Sequence, residues 1–237
     1  PRAYNYVRSV FDIYLPHPKT LSDWYKSISG KPGFTSESFR SINQFAKNSE
    51  HPLFCTLMLD EMAIHKLLQN DGTEMVGYVD MGTELDGDER FLAKDALVFM
   101  IVCINGGWKV PVGYFLVDGV HGEQRYNLVQ QCIILAHRSG VRIVALTFDG
   151  AASNMTMITK LGCKIDPSST LITSFKHPET DETIYAFPDT CHIIKLIRNL
   201  LGEKLIVFND SNEAILWEYI KKLHELQESE GLRLGNK

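Results

Sequence analysis

Leu53-Phe54-Cys55-Thr56-Leu57-Met58-Leu59-Asp60 is the stretch from which the rest of the chain can be ordered. A near-continuous apolar run of this length predicts a strand buried on both faces. It ends on a carboxylate. A second run has the same form, Arg142-Ile143-Val144-Ala145-Leu146-Thr147-Phe148-Asp149. An acid at the end of a buried strand needs compensation, because an unpaired buried charge is costly. If the two strands lie side by side and parallel, Asp60 and Asp149 emerge together at one sheet edge. Two carboxylates placed so repel unless a cation neutralises them, and a hard cation such as Mg²⁺ prefers oxygen ligands. Taken singly, each aspartate reads more readily as a cap or turn former, and Asp149-Gly150 is itself a turn dipeptide.

Working outward from these strands, the first 50 residues predict short helices broken by Pro and Gly. Arg2 to Phe11 is amphipathic, with Tyr6, Val7 and Val10 on one side. Leu15-Pro16-His17-Pro18 is extended, since a residue before proline is pushed away from the helical region. Thr20 or Ser22 then caps a helix carrying Leu21, Trp24, Tyr25 and Ile28, and Thr35 or Ser36 opens another with Phe39, Ile42 and Phe45. After the first long strand, Asn70-Asp71-Gly72 predicts a hairpin between His65–Gln69 and Glu74–Asp80. Ala96–Ile104 and Trp108–Val117 are strands joined by Asn105-Gly106-Gly107. Then helix and strand alternate: a helix over Glu123–Ser139, the strand ending at Phe148, a helix capped by Ser153, a strand over Thr183–Phe187 and an apolar helix over Thr190–Leu201. A last amphipathic helix runs from Asn212 to Glu230, with Ile215, Leu216, Tyr219, Ile220 and Leu223 inward. Three antiparallel strands followed by alternating helices and parallel strands make an α/β mixed sheet covered by helices, the plan of RNase H-like folds. The expected division is a helical module over 1–50, the first part of the RNase H-like domain over 51–202, and the start of a helical insertion over 203–237.

Composition narrows the classes. Hydrophobic content of 44% and charged content of 22% suit a folded globular chain. No apolar span approaches the roughly 20 residues a bilayer crossing requires. The five cysteines, Cys55, Cys103, Cys132, Cys163 and Cys191, stand singly without a CxxC pair, which predicts reduced thiols in an intracellular protein. The net charge of -5 is unevenly spread: residues 1–50 carry seven Lys/Arg against four Asp/Glu, and residues 60–95 carry three against ten. An acidic, metal-attracting centre beside a mildly basic module fits that pattern, and so does an ordinary acidic surface.

Other residues invite chemistry and have a plainer alternative. Glu61 points to the strand face opposite Asp60, which suits a solvated group or a salt-bridge partner better than a metal ligand. His192, Lys195, Arg198 and Asn199 fall on successive turns of one helix and suit either phosphate contact or a polar helix face. Trp24 and Trp108 read as core or inter-domain anchors. Asp80 and the acidic loop Glu84, Asp86, Asp88 and Glu89 could hold a cation, although a solvated loop is the simpler reading. A zinc site at Cys191-His192 would have adjacent ligands, a poor arrangement for a tetrahedral ion. No GxGxxG or GxxxxGK[ST] stretch occurs.

A family resemblance rests on an ordered set of segments: Leu57-Met58-Leu59-Asp60-Glu61-Met62, Tyr78-Val79-Asp80-Met81-Gly82, Leu146 to Asn154, and Asp189-Thr190-Cys191-His192 through Asn199, with Leu15 to Trp24 ahead of them. Together these resemble the P-element transposases and their vertebrate THAP-domain relatives over most of residues 1–200. The resemblance implies a DDE-type enzyme that cleaves DNA and transfers strands in a cut-and-paste reaction, with Asp60 and Asp149 as its first two catalytic, metal-binding acids. It also implies Mg²⁺ or Mn²⁺ as cofactor, DNA as partner, a homo-oligomeric parent protein and a nuclear location. The third acid, a glutamate, is expected beyond Lys237 or elsewhere in the parent, leaving the active site incomplete in these residues. GTP is expected to bind the complete protein through the insertion domain, with no contact assignable here. Two rivals remain at this level: a domesticated, inactive scaffold that binds DNA or protein, and an unrelated hydrolase with a two-aspartate metal site.

Overall fold

The computed structural model describes residues 2–11, 14–25, 30–70, 75–82, 91–166 and 170–231. The chain divides into two compact units, Pro1–Ala186 and Phe187–Lys237. In the first, helices α1 (Arg2–Val10) and α2 (Pro18–Tyr25) precede the two-residue strand β1 (Gly33–Phe34) and helix α3 (Ser36–Lys47). Strand β2 (Phe54–Ala63) is followed by a short pair, β3 (Gln69–Asn70) and β4 (Met75–Val76), and then by β5 (Asp95–Cys103) and β6 (Lys109–Val117). Helix α4 (Gly122–Arg138), strand β7 (Arg142–Phe148), helix α5 (Ala152–Leu161), and strands β8 (Ser174–Lys176) and β9 (Thr183–Pro188) complete it. The second unit carries helix α6 (Thr190–Lys204), strands β10 (Ile206–Phe208) and β11 (Ala214–Leu216), and helix α7 (Trp217–Ser229).

Seven strands form one mixed sheet in the order β1-β6-β5-β2-β7-β9-β8. β2 is antiparallel to β5, from Cys55 opposite Cys103 to Ala63 opposite Asp95, and β5 is antiparallel to β6. On its other side β2 runs parallel to β7. This is the RNase H-like mixed sheet that the element order predicts. The first long run departs from expectation in one respect. Cys55, Leu57 and Leu59 are buried, while Phe54, Met58 and Asp60 are exposed, so within this unit β2 buries one face. The buried face belongs to the core that holds Val129, Cys132 and Ile133 of α4 and Met157 and Ile158 of α5. Four cysteines, Cys55, Cys103, Cys132 and Cys163, are free thiols inside that core, and Cys191 is exposed. Burial pushes the Cys55 thiol up, with Cys103 opposite it adding to the effect.

The N-terminal segment contributes to the same core. α3 opens at Thr35 and buries Phe39 and Ile42, and Asn43 Nδ2 donates to the Ser139 carbonyl at 3.3 Å. β1 extends the sheet by pairing with β6, Gly33 opposite Tyr114 and Phe34 opposite Gly113. That pairing leaves no room for a side chain at Gly113, where a Cβ would lie 2.7 Å from the Gly33 carbonyl oxygen and 2.8 Å from Phe34 Cδ1. Gly113→Ala is expected to cost about 1–3 kcal/mol through overpacking, read as a lower denaturation midpoint. An unchanged midpoint would show that β1 does not hold its place against β6.

Ahead of that core, α1 is tied to the segment leading into α2 by Tyr4 Oη, which donates to the Pro16 carbonyl at 2.8 Å, and by Arg8 Nε, which donates to that of Leu15 at 3.0 Å. α2 begins at Pro18, earlier than Thr20 or Ser22, because proline suits the first helical position and His17 Nδ1 accepts from the Lys19 amide at 3.1 Å. Trp24 on that helix is exposed, whereas Trp108 is half-buried and stacks on Phe45 at 5.0 Å. Ile28 lies outside the described residues, as do 71–74 of the expected hairpin, whose strands shorten to β3 and β4.

In the second unit Asp189 caps α6, its Oδ1 accepting from the Cys191 and His192 amides at 2.9 and 3.3 Å. The helix expected from Asn212 is a correction. Ala214–Leu216 pairs instead with Ile206–Phe208 as an antiparallel hairpin, and the helix starts at Trp217. Asn209 explains the difference, since its side-chain oxygen accepts from the Ser211 and Glu213 amides at 3.0 and 2.8 Å and turns the chain back. Of the residues expected inward, Ile215, Tyr219, Ile220 and Leu223 are exposed. Among the described residues no helix is long and apolar enough to cross a membrane.

Candidate metal centre

Parallel pairing decides where the two aspartates emerge. In β2 and β7, Leu57 pairs with Leu146 and Met58 with Thr147. Asp60 and Asp149 each stand two residues beyond that last pair, so the register brings both acids to the same level of neighbouring strands, where β7 has ended and β2 runs on to Ala63. Side-chain alternation puts them on the face shared by Thr56 and Thr147, whose hydroxyls are 3.5 Å apart. Asp60 is still within the β2–β5 ladder, opposite Val98. Its carboxylate is exposed, and its Oδ1 accepts from the Glu61 amide at 2.9 Å.

Asp149 sits just past β7 and organises the start of α5. Its Oδ1 accepts from the Ala151 amide at 2.9 Å and from Asn154 Nδ2 at 2.7 Å. The expected cap at Ser153 is therefore a correction: the cap position is Ala151, and Ser153 already lies inside the helix. α5 has no side-chain cap, and Asp149 instead holds the amide of the cap residue Ala151 and the side chain of Asn154.

Glu61 turns to the buried face and forms an ion pair with Arg125 of α4, whose side chain is only 3% exposed. Arg125 Nη1 also donates to Asn154 Oδ1 at 3.0 Å, and its Nε to the Val120 carbonyl at 3.4 Å. Burial holds the Glu61 carboxyl above the usual carboxylate range; the charges of Asp95 and Asp149 push the same way, and Arg125 opposes them. Sequence reasoning found the salt-bridge character of Glu61 but missed Arg125 and Asn154. The available signal was Arg125 itself, three residues before Leu128 and seven before Cys132 on the apolar stripe of α4. A charge in such a stripe must find a partner.

The remaining candidates lie elsewhere. His192, Lys195, Arg198 and Asn199 are on α6 in the second unit, where Arg198 donates to Asn199 Oδ1 at 2.7 Å. Asp80 Oδ1 accepts from the Gly82 amide at 2.8 Å, and Glu84, Asp86, Asp88 and Glu89 lie outside the described residues. Among the described residues no group of three or more His, Cys, Asp or Glu side chains is placed to hold a metal ion.

Residues 30–162 match the family described as TNP-like, RNase H N-terminal domain, more than half of the chain. The chain belongs to this transposase family. Its residues 1–24 match the transposable element P transposase-like HTH domain, and residues 191–237, from within α6 onward, match the TNP-like GTP-binding insertion domain. This transposase-family chain is 31% identical to the human DNA transposase THAP9 over 234 residues, covering 97% of the chain and 26% of that protein. It is 27% identical to the Drosophila melanogaster transposable element P transposase over 239 residues, covering 100% of the chain and 27% of that protein. The chain thus spans about a quarter of the length of these curated relatives. A solved structure, the Drosophila P element transposase strand transfer complex, superposes with a TM-score of 0.63 at 23% identity, over 95% of this chain and 46% of that one. That likeness shows the shared fold.

Proposed function

We propose that this chain supplies the first two acids of a DDE-type DNA transposase, Asp60 and Asp149, for metal-dependent strand cleavage and strand transfer. The observation that carries this reading is the parallel register of β2 and β7, which brings both acids to one level of the sheet two residues past Met58 and Thr147. The donor set fits a hard divalent cation: two carboxylates, with Asp149 holding one oxygen in protein hydrogen bonds. Mg²⁺ or Mn²⁺ at these acids would supply Lewis-acid activation of the attacking water or 3′-hydroxyl and neutralisation of the leaving oxygen. The third acid comes from another part of the full-length protein. The ladder opposite Val98 fixes the backbone of Asp60, and hydrogen bonds from the Ala151 amide and Asn154 hold the Asp149 carboxylate at the mouth of α5.

In this reading DNA is the partner, the full-length protein works as a homo-oligomer in the nucleus, and GTP is bound through the insertion domain that begins near residue 191. The same proposal divides the chain into a helical module over 1–50, a catalytic part over 51–202 and the start of an insertion over 203–237. The module's β1 and α3 are built into the catalytic core, and the insertion's family match reaches back to residue 191 within α6. The test is cleavage of a DNA carrying the element's ends by the full-length protein with Mg²⁺ or Mn²⁺, and again with a chelator. Cutting that needs the metal is the expected result. A protein that binds the DNA and never cuts it in either metal is a domesticated scaffold instead.

A further inference from the structure

Resting on the two-aspartate reading, we infer that Arg125 and Asn154 are positioning residues, bracing Asp149 so that one of its oxygens is always occupied and the other is presented to the metal. The hydrogen-bonding capacities along the path admit one arrangement. Arg125 is a donor only, so the Asn154 side chain must turn its carbonyl oxygen toward Nη1, as observed at 3.0 Å. The Asn154 amide nitrogen then faces Asp149, an acceptor, and donates to Oδ1 at 2.7 Å. Asn154 is 2% exposed, so both ends of its amide are shielded from bulk solvent. With the Ala151 amide on the same oxygen at 2.9 Å, Oδ1 is committed twice. A flipped Asn154 would set nitrogen against guanidinium and oxygen against carboxylate, and the buried setting penalises both.

The path also reaches the other acid. Arg125 pairs with Glu61, and the Glu61 amide donates to Asp60 Oδ1 at 2.9 Å. Asp60, Glu61, Arg125, Asn154 and Asp149 thus form one connected chain of contacts linking β2, α4 and α5. Packing alone does not account for a guanidinium here. An apolar side chain would suit the stripe of α4, and replacing buried ion pairs by such residues is often neutral or stabilising. What an apolar residue could not do is hold the Asn154 amide in one orientation.

The test is Mn²⁺ binding by the full-length protein, followed by electron paramagnetic resonance of free and bound ion, with thermal unfolding measured alongside. Asp149→Asn marks the site, and Asn154→Ala and Arg125→Lys test the brace. Both brace variants are expected to weaken the Asp149-dependent Mn²⁺ binding by about 10–100-fold, the range seen when groups supporting a metal ligand are removed. Arg125→Lys keeps the charge facing Glu61 and loses the second arm to Asn154, so it carries the test if Asn154→Ala fails to fold. Binding that Asp149→Asn weakens but a folded brace variant leaves unchanged overturns the brace and leaves the metal reading standing. Binding that Asp149→Asn leaves unchanged overturns the metal reading, and the brace with it.

Discussion

Asp149→Asn is expected to reduce metal-dependent DNA cleavage by the full-length protein at least about a hundredfold while leaving its unfolding temperature nearly unchanged. Groups that merely support metal ligands are each worth roughly 10–100-fold, and a ligand itself carries more. Structure should survive because asparagine is nearly isosteric, and its side-chain oxygen can still accept from the Ala151 amide and from Asn154 Nδ2. The substitution therefore removes charge and keeps the turn into α5. Asp60→Asn is expected to behave alike, since its structural contact is one hydrogen bond from the Glu61 amide at an exposed position. Cleavage time courses beside DNA-binding titrations check both variants. Full cleavage by either folded variant would place the chemistry at other residues.

Phe99→Ala is expected to carry the largest stability cost, about 3–5 kcal/mol, the range for removing a fully buried aromatic. Phe99 is fully buried on β5, and its ring meets those of Phe34 and Phe115 edge-on, with centroids 5.4 and 5.6 Å away. Phe34 and Phe115 themselves meet at 5.0 Å, closing a three-ring cluster at the junction of β1, β5 and β6. Residues sharing such a cluster couple. A double-mutant cycle between Phe34→Ala and Phe99→Ala is expected to show about 0.5–1.5 kcal/mol of interaction beyond the sum of the single changes. Additive costs in denaturant titrations would mean that β1 rests on the sheet without being locked to these rings.

How far the sequence could be read depended on whether the decisive contact was local. The apolar runs leading to Asp60 and Asp149 were legible because a long apolar run closing on an acid is a pattern within one segment, although β2 continues past its acid to Ala63. The register that brings the two acids to one edge was not, since pairing Met58 with Thr147 is a choice made by the whole sheet. β1 escaped notice for the same reason: two residues have no periodicity, and Gly33 and Phe34 become a strand only because Gly113 lets them approach. Ile215 and Leu216 fit an amphipathic helix as well as a strand until Asn209 is seen turning the chain. Arg125 went unremarked although it is a charge on the apolar stripe of α4, because its partners lie 64 residues back at Glu61 and 29 ahead at Asn154.

The central place of β2 bears on how the chain is made. Both of its neighbours, β5 and β7, come later in the sequence, the second beginning only at Arg142. During synthesis β5 and β6 can settle against β2 once they emerge, yet the opposite edge of β2, with its unpaired amides and carbonyls, must wait for β7. Such an edge on a half-built sheet is the kind of surface that recruits other chains into aggregates. Ribosome pausing or chaperone engagement before Arg142 emerges should therefore matter more to the yield of native protein than pausing after Phe148 has cleared the exit tunnel. Fragments for expression that stop between Val117 and Arg142 should be the least tractable.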